Sequence, residues 1–276
     1  MTVLVTGATG NAGGAVVRAL AAAGLPGRAL ARSKVELPAG IEPVYGDLNQ
    51  PDTFVESLDG VSGIFLLSGY DRIEELLANA VKAGVQRVAL LSSSSVVGTE
   101  TANAIAQYHL AAEAAVDASG LDWTYLRPNT FMSNTLRWLD QLRAGDVVRV
   151  QFPEVPISTI HPLDIAEVAV RALTEDGHSR TAYRLSGPVA LKPAEQVRIL
   201  GEVLGRPLQT YEMTRAESHD DLLAAMPPQY ASAIESFYAD GIIDETTVTD
   251  TVETVTGHSP RTLREWTHEN AGLFAG

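Results

Sequence analysis

Three groups of side chains in this sequence are spaced as a reaction site would space them. Glycines fall at Gly7, Gly10 and Gly13, directly after the aliphatic run Val3-Leu4-Val5 and before a helical pattern carried by Val16, Val17 and Leu20. A strand, a tight glycine turn and a helix in that order bind anions: the turn admits a pyrophosphate to the backbone, and the free N–H groups of the helix end point at it. The cradle expected to hold such phosphates is Gly7, Ala8, Thr9, Gly10, Asn11 and Ala12. The spacing is G-x-x-G-x-x-G rather than G-x-G-x-x-G, so the flanking strand and helix carry the reading. Four hydroxyls, Ser92 to Ser95, follow another apolar run, and His109 and Glu113 stand four apart on a helical stretch. A histidine there can donate a proton or hydrogen-bond a cofactor ribose; equally, it can be half of an i,i+4 pair with Glu113.

The elements that must position these groups alternate along the chain. Strand patterns at 28–31, 43–45, 63–67, 88–91 and 123–126 are separated by helical stripes, among them 73–83 and 102–119. Such alternation predicts a parallel sheet covered on both faces, with ligands outside the carboxyl ends of its strands. Gly7, Arg32, Asp47, Ser68 and Ser92 all fall at those ends, where one ligand could touch every one of them. An acid after the second strand would bind a ribose 2′-hydroxyl, whereas Arg accommodates a 2′-phosphate. Arg32-Ser33 stands there with no acid beside it, which favours NADP(H) over NAD(H). Asp47 either touches the cofactor or caps a helix beginning near Pro51. Leu67, Ser68 and Gly69 end the fourth strand beneath the expected cofactor. Beyond 183, strands at 183–185 and 208–212 and helices at 193–204, 230–237 and from 260 predict a further lobe over the substrate side, with Met226 to Tyr230 at its edge.

Composition narrows the class. The chain has 276 residues, 45% hydrophobic and 20% charged, enough for one α/β domain with an appended lobe. It has no cysteine, which excludes disulfides, thiolate nucleophiles and Cys-ligated zinc. A net charge of −14 argues against a nucleic-acid surface, and no apolar run is long enough to span a bilayer. The start runs directly into a strand, so no signal peptide is expected and a cytoplasmic location follows. The acid is uneven: Arg18, Arg28, Arg32 and Lys34 precede Asp47 against Glu36 and Glu42, a local bias suited to a bound phosphate.

Three segments carry a family resemblance: T-G-A-T-G-N-A-G-G at 6–14, G-L-D-W-T-Y-L-R-P at 120–128 and H-P-L-D-I-A at 161–166. They resemble the atypical and extended short-chain dehydrogenases, especially the NmrA-like group, over most of the chain. That group includes NADP-sensing regulators, a quinone oxidoreductase and triphenylmethane reductase. The resemblance implies NADP as cofactor, Asp47 on the adenine amino group and Leu48 on its ring. It also places the loop after the sixth strand beside the nicotinamide, with Ser92, Ser93 and Asn129 near it. His161 is then structural, and Asp164 faces the first turn of a helix. Phe131, Met132 and Trp138 either line an apolar substrate pocket or form an ordinary core stripe.

One departure from the family matters chemically. Its Tyr-x-x-x-Lys-x-x-x-Glu maps onto Ile105, His109 and Glu113, and Tyr108 is one residue, about 100°, out of register. Reducing a simple ketone builds an alkoxide that needs a positioned acid. A quinone or cationic dye needs the hydride aligned more than it needs an acid. The catalytic candidates are therefore His109 and Ser94, with Ser93 as a second hydroxyl; such hydroxyls also commonly just satisfy turn backbone.

These readings converge on an α/β fold: a Rossmann-type doubly wound parallel sheet with a smaller, mainly helical, mixed α/β C-terminal lobe. Residues 1–155 would form the NAD(P)-binding domain, and 156–276 the substrate lobe with a contribution to the sheet. The expected activity is NADPH-dependent reduction of a quinone or a polycyclic, polyketide-type aromatic, including a tailoring reduction or hydroxylation. The alternative is a non-catalytic NADP-sensing regulator. No metal, nucleic-acid or membrane partner is expected, and the oligomeric state is open, with a homodimer as one candidate.

Overall fold

The structure, a computed structural model, describes residues 1–98 and 103–274. The order is β1 Thr2–Val5, α1 Asn11–Ala22, β2 Gly27–Ala31, β3 Ile41–Tyr45, β4 Val61–Leu67, α2 Ile73–Lys82, β5 Arg87–Leu91, α3 Ala104–Ser119 and β6 Asp122–Pro128. There follow α4 Leu139–Ala144, β7 Val147–Val150, α5 Pro162–Thr174, β8 Thr181–Leu185, α6 Pro193–Leu204 and β9 Gln209–Glu212. The chain ends with α7 Arg215–Ala225, α8 Pro228–Tyr238, α9 Thr251–Thr256, α10 Leu263–Glu269 and α11 Ala271–Phe274.

Seven strands form one parallel sheet in the order β3-β2-β1-β4-β5-β6-β8. The order reverses between β1 and β4, which are registered Val5 opposite Phe65, and that reversal opens the crevice where such sheets take ligands. Alternation along each buried strand divides the core. Val3, Val5, Ala29, Phe65 and Ala89 face α1 and α5, while Leu4, Leu30, Ile64, Leu66 and Leu90 face α2 and α3. α3 starts where Asn103 Oδ1 accepts the N–H groups of Ile105 and Ala106, and stops at Gly120 with φ +78°. The helix start expected at Ala102 lies outside the described residues. The helix expected near Pro51 is instead a 3₁₀ segment, Pro51–Leu58, interrupted at Phe54, with no side-chain cap.

A second, two-stranded sheet pairs β7 with β9 in parallel. Around it Trp138, Leu142, Val197, Leu200, Leu263 and Trp266 form a separate core. The boundary expected near 155 falls between β7 and α5. The chain passes from lobe to main sheet and back after it, since α5 and β8 complete the sheet.

The tail is tied to the sheet layer by charge. Arg261 spans Asp164 and Glu167 on α5, and His258 adds a bond to Glu167. Asp164, Glu167 and His258 are metal-ligand types gathered together, but Arg261 already supplies the cation there. His161 caps α5, its Nδ1 accepting the Leu163 N–H at 3.0 Å. Asp164 is fully buried, so Arg261→Met should leave it without its cation and lower stability by about 3 kcal/mol in urea unfolding. A loss below about 1 kcal/mol would show that the tail is held by packing alone.

Candidate active site

The glycine turn is shaped by close approach. Gly7 has φ +60°, and a Cβ there would lie 2.3 Å from Leu67 Cδ1; a Cβ on Gly13 would lie 2.2 Å from the Gly7 carbonyl oxygen. Gly10 caps α1 in extended conformation and offers no side chain to the helix. The first-turn N–H groups of Asn11 and Ala12 are thus left without a helical partner, beside the exposed Thr9 and Gly10. Below the turn, Thr6 Oγ1 accepts the Leu67 N–H at 3.0 Å, locking β1 to β4. This cradle, with backbone where any larger side chain would intrude, fits a dinucleotide pyrophosphate.

At the ends of β2 and β3, Arg32 and Ser33 are exposed, and Arg32 has no hydrogen bond or ion pair to another described residue. Asp47 Oδ1 accepts the Asn49 N–H at 2.9 Å, and the Asp47 N–H donates to Thr53 Oγ1. Asp47 therefore builds its own turn rather than capping the next helix. Leu48 packs into the core with Phe54 and Leu58. Gly69, with φ +93°, is crowded by the Tyr108 ring, whose hydroxyl donates to the Ser68 carbonyl at 2.8 Å. Its conformation serves that contact.

The geometry around His109 fixes its protonation. Ser68 Oγ donates its single proton to the Leu91 carbonyl at 2.9 Å, and His109 Nδ1 lies 3.1 Å from the same oxygen. Ser68 can then only accept, so Nδ1 carries the imidazole proton. Burial pushes the His109 pKa down to about 4, against the opposing effect of Glu113. Near neutral pH the ring is uncharged, with Nε2 a bare acceptor. It does not bond to Glu113. That carboxylate, 5% exposed, accepts Ser92 Oγ at 2.6 Å and Arg127 in two bonds of 2.9 and 2.6 Å. The expected i,i+4 His–Glu pair is replaced by a Ser68–His109 bond and a Ser92–Glu113–Arg127 anchor.

Over this floor lies a cavity of about 940 Å³. Leu67, Ser68, Ser92, Ser93, His109, Asn129, Phe131 and Trp138 line it, and Ile105 presents hydrocarbon at the family's tyrosine position. Asn129 Oδ1 is a buried acceptor without a partner among the described residues, since its amide N–H bonds go to Ser158 and the Glu245 carbonyl. Two expected residues are not brought to the wall. Met132, 1% exposed, belongs to the lobe core. Ser94 gives its hydroxyl to Glu245 Oε1 at 3.0 Å and is buried. Glu245 also accepts the Thr130 N–H and the hydroxyls of Thr130 and Tyr238, joining the lobe to the loop after β6. Sequence reasoning passed over Glu245, which follows α8 without any motif. It also passed over Arg137, although a lone cation inside the apolar stretch from Phe131 to Leu142 was a legible signal.

A sequence model of the NAD(P)H-binding family matches residues 7–176. The chain belongs to this family. Its NmrA-like, short-chain-dehydrogenase character stands with it. Over 280 residues it is 38% identical to (4-alkanoyl-5-oxo-2,5-dihydrofuran-3-yl)methyl phosphate reductase of Streptomyces griseus, covering 99% of both chains. Over 283 residues it is 33% identical to NAD(P)H azoreductase of Xenophilus azovorans, again covering 99% of both. Among solved structures, the NADPH complex of an Escherichia coli quinone oxidoreductase superposes with TM-score 0.78 at 22% identity, covering 98% of this chain and 100% of that one. The NADP(H) complex of Citrobacter sp. triphenylmethane reductase superposes at 0.77 and 24%, with coverage of 98% and 100%. These two show a shared fold. The chain is accordingly an NAD(P)H-dependent oxidoreductase. No helix among the described residues is long and apolar enough to cross a membrane.

The histidine assignment is directly measurable. Long-range ¹H–¹⁵N correlation spectra should show His109 with a protonated Nδ1 and a bare Nε2, unchanged between about pH 6 and pH 8. A titration midpoint inside that interval would contradict the geometry.

Proposed function

We propose that the protein binds NADPH along the carboxyl ends of the strands and reduces an electron-poor aromatic or conjugated acceptor in the cavity. The Gly7–Ala12 cradle would hold the pyrophosphate, Arg32 and Ser33 the 2′-phosphate, and Asp47 the adenine, whereas Leu48, packed in the core, is not left to stack on the ring. Ser68, Ser92, Ser93 and Asn129 would surround the nicotinamide end. His109 Nε2 would accept a ribose hydroxyl. Bound NADPH would supply a hydride; a quinone that takes it up with one proton from water becomes the hydroquinone.

The observation that carries this reading is the lack of an acid in the family's catalytic position. Ile105 offers hydrocarbon there, His109 is neutral, and the Tyr108 hydroxyl is directed at the Ser68 carbonyl. A group with no proton to give cannot assist an alkoxide. It serves well where the reduced product is a delocalised anion or a neutral molecule and alignment is the main requirement. The relatives' names fit this chemistry: an azo group, a quinone, a triphenylmethane dye, and a dihydrofuranone whose ring double bond is conjugated to its carbonyl. Phe131, half-buried on the wall, supplies apolar surface for such an acceptor.

Two measurements test the reading. Purified protein should oxidise NADPH with quinones in a panel, while simple ketones give no turnover. Tight cofactor binding without turnover on any acceptor would favour the NADP-sensing alternative. Arg32→Ala should weaken NADPH binding roughly 10- to 100-fold, the value of a charge-assisted contact, while NADH binding is unchanged. Retained preference for NADPH in that variant would remove Arg32 from the phosphate site.

A further inference from the structure

Within the cavity one cation has no close ion-pair partner among the described residues. Arg137 lies on the 3₁₀ turn Met132–Trp138, its guanidinium carbon 5.2 Å from the centre of the Trp138 ring. It lines the cavity and is accessible there. The surrounding protein still draws its pKa below the ordinary arginine value by desolvation, against the effects of Tyr238 and Asp221. It makes no hydrogen bond or ion pair to any described residue. Glu245 is filled by Ser94, Thr130 and Tyr238, and Asp221, which takes the Gln151 amide, acts on Arg137 only at longer range, without an ion pair. The other arginine on the wall, Arg149, has Glu217 at 3.8 Å and the Tyr211 ring beneath it. On the same turn as Arg137, Ser133 is 5% exposed, lines the same cavity, and has a hydroxyl without a partner among the described residues.

An arginine held against an aromatic face, partly desolvated and left without an acceptor, presents its planar fork to whatever enters. In a chain of net charge −14, that fork stands on the cavity wall with its donors free. We propose that Arg137 is a specificity residue that receives a compact oxyanion on the substrate: a phosphate ester, sulfonate or carboxylate attached to the conjugated acceptor. The inference rests on the reductase reading above and assigns the substrate's charge.

The test compares menadione with 1,4-naphthoquinone-2-sulfonate and a carboxylated naphthoquinone, in the wild type, Arg137→Met and Arg137→Lys. In the wild type the charged acceptors should have KM values at least tenfold below that of menadione. Arg137→Met should raise their KM at least tenfold more than it raises that of menadione, with the effect in KM rather than kcat, and Arg137→Lys should restore part of the difference. A sulfonate preference without a carboxylate preference would narrow the group to tetrahedral oxyanions. Equal losses on neutral and charged acceptors, or no preference in the wild type, would overturn the proposal. Calorimetric titration of the sulfonate into the NADP⁺-loaded protein supplies a readout free of turnover. Arg137-dependent binding there, with no reduction of any acceptor, would uphold the anion site while removing the reductase reading. Matching melting temperatures exclude a folding defect.

Discussion

One buried carboxylate sets the site. Glu113 reaches from α3 to Ser92 at the end of β5 and to Arg127 at the end of β6, while its own backbone carbonyl accepts the Tyr125 hydroxyl. A charge taken out of water is tolerable only when its lone pairs are filled, and here they are filled by groups from two strands. That requirement fixes how α3 lies across the sheet end, and so where Ile105, Tyr108 and His109 fall. The Ser68–Leu91 bond does the same on a smaller scale, presetting the imidazole by leaving Ser68 with only an acceptor to offer. The site is thus preorganised by hydrogen-bond bookkeeping within the sheet rather than by the lobe above it.

The lobe contributes the walls. Its own core around Trp138 and Trp266 makes it a rigid cover, and the contacts of Glu245 attach that cover to the loops after β5 and β6. The proposed function would put cofactor chemistry at the sheet ends and acceptor recognition at the lobe, a division common to this architecture.

Much of this was legible in the sequence because it rests on local patterns. The strand runs, the glycine turn and the β/α alternation each obey a short period that composition alone displays. The same holds for the absence of an acid at Ile105 and for the structural role of His161. What could not be read depends on distant partners. Whether Ser94 or Ser93 faces the cavity turns on Glu245, 151 residues beyond Ser94. Phe131, Met132 and Trp138 belong to one apolar stripe, yet Met132 and Trp138 are both packed into the lobe core and Phe131 alone of the three is left half-buried at the wall. The pairing of β7 with β9 joins segments with no shared signal, and Asp47 closes a turn that its place at a strand end concealed.

Ile105 has a consequence for which molecules can be transformed. With hydrocarbon where a proton source would stand, the chain does little to lower the energy of charge appearing on the product. That energy then depends on the incoming molecule's own electron affinity. Two compounds of equal shape but different reduction potential would be sorted by potential. Under the proposed function such a pocket would sort flat acceptors by how well each stores an extra electron pair, in addition to the anionic group that Arg137 would receive.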